Sequence, residues 1–297
     1  LQTRLKLAQS KSVEISPHIC LEEMLLAERV ALSFECQLSC SQDYLSFSDA
    51  YLDLRPRITA YDKLEDYREY VVVGTLNRTL LSLIRRQQLK GKRLILIDVP
   101  ESEPFTRFAD ELYPDLKGIE ASQDRLFIYN QNRISEKLAA SIWNLAGADN
   151  IMHTTDYRNH GGFLAMSKQA VKYSPVDFAL SFGALPAVKA AFKVAVCAYQ
   201  PDNRDCDLIL PGVNYLEIEG TTLGDQAKVS RFANPLKSTV FNELTRLFYR
   251  MEWISAATAD IPYWTNLANE VLSSLQGQAP QSLGQINTEG LRDTVLP

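Results

Sequence analysis

The sequence predicts an α/β protein of the doubly wound type, with mostly parallel sheets and flanking helices. Short apolar runs alternate with amphipathic helical patterns along the 297 residues, as in proteins built from strand–helix–strand units. These runs are continuous rather than alternating, which is typical of strands buried on both faces. With 46% hydrophobic residues, a chain of this length has enough apolar material for a core without disulfides.

The clearest unit lies between residues 70 and 98. The β-branched run 70–73 predicts a buried strand that ends at Gly74, a helical pattern covers 79–90, and 93–98 predicts a second buried strand. A strand–helix–strand unit requires a right-handed crossover. The two strands are therefore expected to be parallel neighbours.

The same alternation continues along the rest of the chain. We predict further strands at 126–129, 176–183 and 194–198, and further helices at 20–33, 104–112, 134–146, 163–172, 239–256 and 262–275. Residues 42–66 predict loops and short strands. A boundary near 118–124 would divide a first α/β subdomain (1–120) from a second (121–276). The Gln-, Gly-, Ser- and Pro-rich stretch 277–297 predicts an extended or mobile tail.

The charge balance argues against two classes of partner. A net charge of −5 gives no global reason to bind nucleic acid or an anionic membrane. A basic run is typical of a solvated helix end, and it consists of Arg85, Arg86, Lys90, Lys92 and Arg93. A nucleic-acid-binding patch is the alternative interpretation. No window reaches the ~20 apolar residues of a membrane-spanning helix. No secretory or transit-like segment is visible in these residues.

The cysteine pattern predicts free thiols rather than a disulfide framework or a metal centre. The five cysteines are Cys20, Cys36, Cys40, Cys197 and Cys206. An odd, scattered set is typical of a protein from a reducing compartment. Only Cys36 and Cys40 have a short spacing, and two thiolates cannot supply the four ligands of an iron–sulfur cluster. The three histidines, His18, His153 and His160, lie in unrelated segments.

One turn has the form of a phosphate-binding loop. Gly74 follows a predicted strand and precedes a helix, whose free N-terminal amides could cradle a phosphate. Asp98, at the end of the next strand, would suit a ribose or guanine contact. Yet a single glycine matches neither the dinucleotide fingerprint nor a P-loop. A nucleotide-binding module therefore stays open as one alternative.

Catalytic motifs are not recognisable. The carboxylates of Glu22, Glu23, Glu217 and Glu219 are not paired at any spacing typical of acid–base catalysis. The segment HTTDYRNHGG, which contains His153, His160, Gly161 and Gly162, is interpreted as a surface loop, and a flexible loop near a ligand is the alternative. We therefore predict no catalytic, cofactor-binding or metal-binding residue in this chain.

One segment resembles a known family. Residues 207–221 (DLILPGVNYLEIEGT) resemble the signature of molybdopterin oxidoreductases, in which an Asp-hydrophobic-hydrophobic-Leu-Pro strand is followed by an E-K-x-G-T loop. The Leu-Pro-Gly version resembles the large peripheral-arm subunit of respiratory complex I. Weaker likenesses occur in the same order, at Asp53-Leu54-Arg55 with 70–78, at 92–100, and at 151–153 with 161–166. The resemblance covers about residues 20–275 and implies a molybdopterin-oxidoreductase-like version of the α/β fold.

The sequence departs from the cofactor-binding members of that family. Where they continue with N-x-E-G-R-V, this chain has Gly224, Gln226, Ala227, Lys228 and Val229. A further alignment would place Cys40 on the metal-binding cysteine of formate dehydrogenases, but Ser41 stands where their histidine follows. The cysteine motifs that hold iron–sulfur clusters in the complex I subunit are not in this sequence. The resemblance thus implies a chain without a cofactor of its own.

The resemblance implies a function and a location. The chain would be a non-catalytic structural subunit or domain of the NADH-oxidising peripheral arm of complex I. Its partner chains would carry the iron–sulfur clusters and FMN. It would lie on the matrix side of the mitochondrial inner membrane, or on the cytoplasmic face in a bacterium. The alternatives are the catalytic portion of a divergent pterin-dependent formate-dehydrogenase-like enzyme, and the nucleotide module built on Gly74 and Asp98.

Overall fold

The computed structural model describes most of the chain in two compact units. The described residues are 2–41, 44, 61–146, 150–157, 159–166, 169–170, 174–199, 205–214, 217–218, 220–223, 229–232, 236–255 and 261–276. The first unit comprises Leu1–Ser46 and Tyr157–Pro297, and the second comprises Phe47–Asp156.

The described helices and strands are, in chain order, α1 (Gln2–Leu7), β1 (Lys11–Ile15), α2 (Leu21–Ser33), β2 (Leu38–Cys40), β3 (Glu69–Val73), α3 (Arg78–Gln88), β4 (Arg93–Ile97), β5 (Glu111–Tyr113), β6 (Arg125–Asn130), α4 (Glu136–Ala146), β7 (Ile151–Thr154), α5 (His160–Ala165), β8 (Gln169–Ala170), β9 (Val176–Phe182), β10 (Ala190–Cys197), β11 (Leu208–Pro211), β12 (Gly220–Leu223), β13 (Val229–Phe232), α6 (Val240–Arg250) and α7 (Ile261–Gln276). Short 3-10 helices cover Tyr61–Asp66 and Pro104–Phe108.

The first unit is built on a six-stranded parallel sheet. Its strand order is β11-β10-β9-β1-β2-β8, and β12 and β13 form a separate antiparallel pair. Within β1, Val13 pairs with Leu38 of β2 on one side and with Leu180 of β9 on the other. The chain winds outward from β1 in both directions, so the order of the strands reverses there.

Helix α2 is the central helix of this unit. Its apolar residues, including Leu21, Met24 and Leu25, are buried in the core cluster that packs on the sheet. Its first turn also buries two carboxylates, Glu22 and Glu23. A helix buried on most of its faces must satisfy its polar groups internally, because water does not reach them.

The second unit is a five-stranded parallel sheet in the order β5-β4-β3-β6-β7. Both faces of its central strand are covered. Val71 and Val73 pack in the cluster that contains Ile142 of α4, whereas Tyr70 and Val72 pack in the cluster that contains Leu80 and Ile84 of α3. Two-sided burial explains why β3 is an unbroken apolar run, and it confirms the prediction of a doubly wound parallel sheet.

Five predicted strands are confirmed, with small shifts at their ends: 70–73, 93–98, 126–129, 176–183 and 194–198. The predicted helices at 20–33, 79–90, 134–146, 239–256 and 262–275 are also confirmed, although α6 already ends at Arg250.

The helix predicted at 104–112 is wrong. The 3-10 helix ends at Phe108, Ala109 is extended, and β5 follows. Asp110 explains the change, because its backbone N–H donates to the Leu94 carbonyl and its Oδ2 accepts from the Leu94 N–H at 2.7 Å. These two bonds align the next residues with β4.

Two further predictions change between residues 151 and 172. The helix predicted at 163–172 instead spans His160–Ala165 and is followed by β8. The HTTDYRNHGG segment is not a surface loop, because its first residues end β7 and His153 is 1% exposed. Four residues of mixed polarity do not have a strand pattern on their own. These residues form a strand because they pair with β6, beginning with Ile151 opposite Phe127.

The division into units differs from the predicted subdomains. The boundary near 118–124 falls between β5 and β6, inside the second unit, whereas the first unit draws on both ends of the chain. The reason is that β1 and β2 belong to a sheet whose other strands all begin at residue 169 or later. The tail 277–297, Asp53-Leu54-Arg55 and residues 45–60 lie outside the described residues.

Three residues of the basic run contact neighbouring side chains on the surface of the second unit. Lys90 forms an ion pair with Glu65 at 2.5 Å, and Arg93 contacts both Glu69 and Glu111. The Arg85 guanidinium lies 4.4 Å from the centroid of the Phe108 ring. These contacts fit the solvated helix end that was predicted. Among the described residues, no helix is long and apolar enough to cross a membrane.

Candidate functional site

The carboxyl edge of the first unit's sheet is the place where its topology favours a site. Ligands of open parallel sheets bind outside the carboxyl ends of the strands where the strand order reverses. Here that point lies between β1 and β9, whose following segments are residues 16–20 and Gly183. Gly183 has φ +78°, and a Cβ there would lie 2.3 Å from Cγ2 of Ile19. Only glycine lets the two segments approach so closely.

Two buried carboxylates lie behind this edge, in the first turn of α2. Glu22 accepts hydrogen bonds from the backbone N–H and the hydroxyl of Thr221, both at 2.8 Å. Glu23 Oε2 accepts from the Cys20 N–H at 3.3 Å and lies 3.5 Å from Cys20 Sγ. The sequence showed no partner for Glu22, because Thr221 is 199 residues away from it.

Burial controls the protonation of this cluster. It raises the pKa of Glu22, and it raises that of Glu23 to about 8, although hydrogen bonds from Thr221 and Cys20 oppose the two shifts. Burial, together with the nearby Glu23 and Glu22, also raises the pKa of the Cys20 thiol well above its ordinary value. Burial, followed by Cys206 and Glu23, raises the pKa of Cys197 to about 11. These thiols are therefore protonated at neutral pH and are weak nucleophiles.

Three aromatic rings border the same edge. The centroids of His18 and Tyr44 are 6.5 Å apart, those of His18 and Tyr157 are 5.4 Å apart, and those of Tyr44 and Tyr157 are 5.5 Å apart. The interplanar angles are 85°, 83° and 88°, so each ring is nearly perpendicular to the other two. His18 is exposed, and the two tyrosines are half-buried.

Asn159 fixes the backbone on both sides of His18. Its backbone N–H donates to the Pro17 carbonyl at 3.0 Å, and its side-chain amide donates to the Ile19 carbonyl at 2.9 Å. A Cβ on Gly162 would lie 2.2 Å from Asn159 Oδ1, so glycine is required for the helix to pass this side chain. His160 is fully buried beside them. The Asn-His-Gly-Gly part of the predicted loop is therefore a fixed support for the β1–α2 connection.

The segment that carried the family resemblance has a structural role in the described residues. Asp207 Oδ2 accepts from the Lys193 N–H at 2.7 Å, which aligns β11 with β10. A Cβ on Gly212 would lie 2.9 Å from the Cys197 carbonyl carbon, which explains the glycine after Pro211. Glu217 Oε2 accepts from the Asn214 N–H at 3.2 Å. Glu219 and residues 224–228 lie outside the described residues.

The second unit has its own strand reversal, between β3 and β6. Gly74 leaves β3 with φ +71°, and Asn77 caps α3 by accepting from the Leu80 N–H at 2.9 Å. Asp98 leaves β4 at the same edge, exposed and with φ +53°. The loop after β6 is held within the unit, with Arg133 and Asp156 paired at 3.0 Å. Nucleotide binding through Gly74 and Asp98 stays a prediction.

All five cysteines are free thiols, as predicted. Cys20 and Cys40 are buried, whereas Cys36, Cys197 and Cys206 are half-exposed. Within the described ranges, no group of three or more His, Cys, Asp or Glu side chains is arranged to hold a metal ion. Whether any cofactor belongs to the chain stays a prediction.

The fold is similar to that of one chain in a solved assembly. That assembly is the formyltransferase/hydrolase complex (FhcABCD) from Methylorubrum extorquens, determined by X-ray crystallography in complex with methylofuran. The match has a TM-score of 0.56 and 14% sequence identity, and it covers 84% of this chain and 94% of the other. At this identity the likeness shows the fold alone. No protein-family model and no curated protein matches the sequence.

These comparisons correct the complex I assignment. The solved neighbour is a component of a formyltransferase/hydrolase complex, which fits neither a peripheral-arm subunit nor a pterin-dependent formate-dehydrogenase-like enzyme. The expected iron–sulfur and flavin-bearing partners and the mitochondrial location depended on that assignment, and they lose their basis with it. The glycine of the short Leu-Pro-Gly segment is explained by how closely β11 packs on β10, so this segment does not by itself indicate a function.

Proposed function

We propose that this chain is an α/β subunit of a multi-subunit assembly that transfers or hydrolyses formyl groups. The observation that carries the proposal is the extent of the structural likeness, which includes 94% of a chain from such a complex. A likeness over nearly the whole of that chain supports an equivalent subunit more than a shared small motif would. Fold alone does not imply function, so the assembly itself has to be tested.

Within such an assembly, we propose that the chain supplies a scaffold and a binding surface rather than a nucleophile. Its buried carboxylates accept hydrogen bonds from Thr221 and Cys20, and its buried Cys20 thiol is protonated at neutral pH. Catalytic groups would then belong to other subunits. The absence of a resident cofactor, and the molybdopterin-oxidoreductase-like variety of the fold, stay predictions of the same proposal.

The test is purification of the tagged full-length chain from its native cells, with a parallel purification from untagged cells as the control. We expect it to co-purify in stoichiometric amounts with other subunits, identified by mass spectrometry. The isolated assembly should release formate from a formylated substrate. A chain that elutes at its own monomer mass from native extract, or an assembly that neither transfers nor hydrolyses formyl groups, would overturn the proposal.

A further inference from the structure

We propose that a cavity at the C-terminal end of α2 binds a small organic acid, meaning a carboxylate on an aromatic or branched apolar body. The cavity is lined by the last turns of α2, the end of α6 and the first turn of α7, and its volume is about 590 Å³. Sites for small molecules commonly have volumes of ~300–1,000 Å³. Helix α2 begins at the carboxyl edge and runs back along the sheet, so the cavity lies away from that edge. The inference does not depend on the proposed formyl-group assembly.

Arg29 brings a positive charge to this cavity. It lies three and four residues before Leu32 and Ser33, so the three share one face of α2, and all of them line the cavity. Arg29 is half-buried, and among the described residues its buried Nε has no hydrogen-bond acceptor. The Leu32 carbonyl at the end of the helix accepts instead from the Glu35 N–H at 3.1 Å. A partly desolvated guanidinium without an acceptor binds an incoming carboxylate favourably, because carboxylate and guanidinium form charge-assisted hydrogen bonds.

A second donor belongs to a residue of the same cavity wall. Trp253 is 1% exposed, and its indole Nε1 also lacks an acceptor in the part of the chain that the structure describes. A buried indole N–H usually has a hydrogen-bond partner. Two such donors at one cavity, one of them charged, favour a ligand with acceptor oxygens. A carboxylate supplies two of them.

The rest of the cavity wall is largely apolar. Leu32 and Tyr249 are 59% and 46% exposed, and Ile254 and Tyr263 line the cavity with them. Large apolar side chains in contact with water gain free energy when a ligand covers them. A ligand with an apolar body is therefore favoured over a small inorganic anion.

The cavity wall is held in place before any ligand binds. The Trp253 ring lies 5.0 Å from the rings of Phe34 and Phe248, centroid to centroid. The Ser33 hydroxyl donates to the Glu252 carbonyl at 3.4 Å, which links the end of α2 to the segment after α6. Ordered walls lose little conformational entropy on binding, which favours affinity.

Glu252 is a carboxylate on the same cavity, and it opposes an anionic ligand. Its side chain is exposed, whereas Arg29 is half-buried. Water screens an exposed charge more than a buried one, so the attraction by Arg29 should exceed the repulsion by Glu252. Removing the Glu252 charge should consequently strengthen the binding of an acid.

The first experiment is calorimetric titration of the full-length protein with 3-phenylpropanoate, 3-phenylpropanamide and acetate at neutral pH. The amide keeps the apolar body without the charge, and acetate keeps the charge without the body. We expect saturable binding of 3-phenylpropanoate with a dissociation constant of the order of millimolar or below, and binding of the other two weaker by at least about tenfold. Absence of saturable binding of 3-phenylpropanoate, or equal binding by either of the other compounds, would overturn the proposal.

Matched substitutions then locate the site. Arg29→Gln should weaken 3-phenylpropanoate binding by at least about tenfold, Arg29→Lys by only about threefold because the charge remains, and Glu252→Gln should strengthen it about twofold. Arg246→Gln is the control, since it removes an exposed arginine of α6 that does not line the cavity. Equal effects of Arg29→Gln and Arg246→Gln would show that the acid binds elsewhere. Should Arg29→Gln fail to fold, Glu252→Gln at its exposed position and the acid–amide comparison still decide the question.

A titration of the native assembly distinguishes a free acid from a carboxylate of a partner chain. If the cavity serves a free small acid, the assembly should bind 3-phenylpropanoate as the separate chain does. Binding by the separate chain alone would mean that a partner's side chain or C-terminus fills the cavity, and it would overturn the proposal.

Discussion

Replacing Glu23 by glutamine tests whether a buried carboxyl group is neutral in the folded protein. Burial raises the pKa of Glu23 from 4.5 to about 8. Between these two pH values the folded state holds a proton that the unfolded state has released, so the free energy of unfolding falls as the pH rises. One pKa unit corresponds to about 1.4 kcal/mol. This single group should therefore lower the stability by about 3 kcal/mol at pH 7, and by about 5 kcal/mol above pH 8, relative to pH 4.

Glutamine cannot ionise, and its side-chain oxygen can still accept the hydrogen bond from the Cys20 N–H. We expect Glu23→Gln to be more stable than the unmodified protein at pH 7, by up to about 3 kcal/mol, and to lose this advantage near pH 4. Urea unfolding at half-unit steps from pH 4 to pH 8.5 measures the difference. The contribution of Glu14, whose pKa burial also raises, is common to both proteins.

Glu28→Gln is the matched control, because it removes the same formal charge from a half-exposed position on the same helix. Its stability should follow that of the unmodified protein across the pH range to within about 0.5 kcal/mol. Parallel stability curves for Glu23→Gln and the unmodified protein would refute the reasoning, because Glu23 would then ionise alike in the folded and unfolded states.

Three further outcomes follow from the packing around the carboxyl edge of the first sheet and from its cysteines. Gly183→Ala should destabilise the protein by about 3 kcal/mol or more, because the new methyl group overlaps Ile19. The control is Gly118→Ala, which has a similar φ of +80° and no atom within 4 Å, and which should cost only about 1 kcal/mol of backbone strain. Equal losses of stability in urea unfolding would contradict this reasoning. Thr221→Val should cost about 1–2 kcal/mol, since Glu22 loses its hydroxyl donor, and an unchanged midpoint of thermal unfolding would count against that bond. In the folded protein at pH 8, Cys20 should not react with a thiol reagent, whereas all five cysteines should react in denaturant. Peptide mass mapping locates the labelled cysteines. Rapid labelling of Cys20 in the folded protein would show that it is not buried.

The fold was predictable where local pattern and tertiary environment agree. The run Tyr70-Val71-Val72-Val73 is apolar at every position because both faces of β3 are buried, so its composition alone indicates a central parallel strand. Helix α2 was equally clear, with apolar residues at helical spacing.

Other elements were hidden because their polar residues are satisfied by distant partners. β1 has the sequence KSVEI, and its Glu14 is buried only because the N–H groups of Ala187 and Val188 donate to it. β7 contains His153, which lies 2.8 Å from the side-chain oxygen of Gln131. A reader of the sequence sees charge or polarity at these positions and predicts exposure, because the compensating donors are far away along the chain.

By itself the sequence determined the class of the protein: a doubly wound α/β chain with free thiols and a central strand–helix–strand unit. Tertiary structure decided the site. It joined Glu22 to Thr221 across 199 residues, and it placed Tyr157 beside His18 and Tyr44 at the carboxyl edge of the sheet. The local hydrophobic pattern depends on which faces of a helix or strand are buried, so it can be read from a single sequence. Proximity between remote segments depends on strand order and on close approaches such as that of Gly183 to Ile19, which only the folded chain displays.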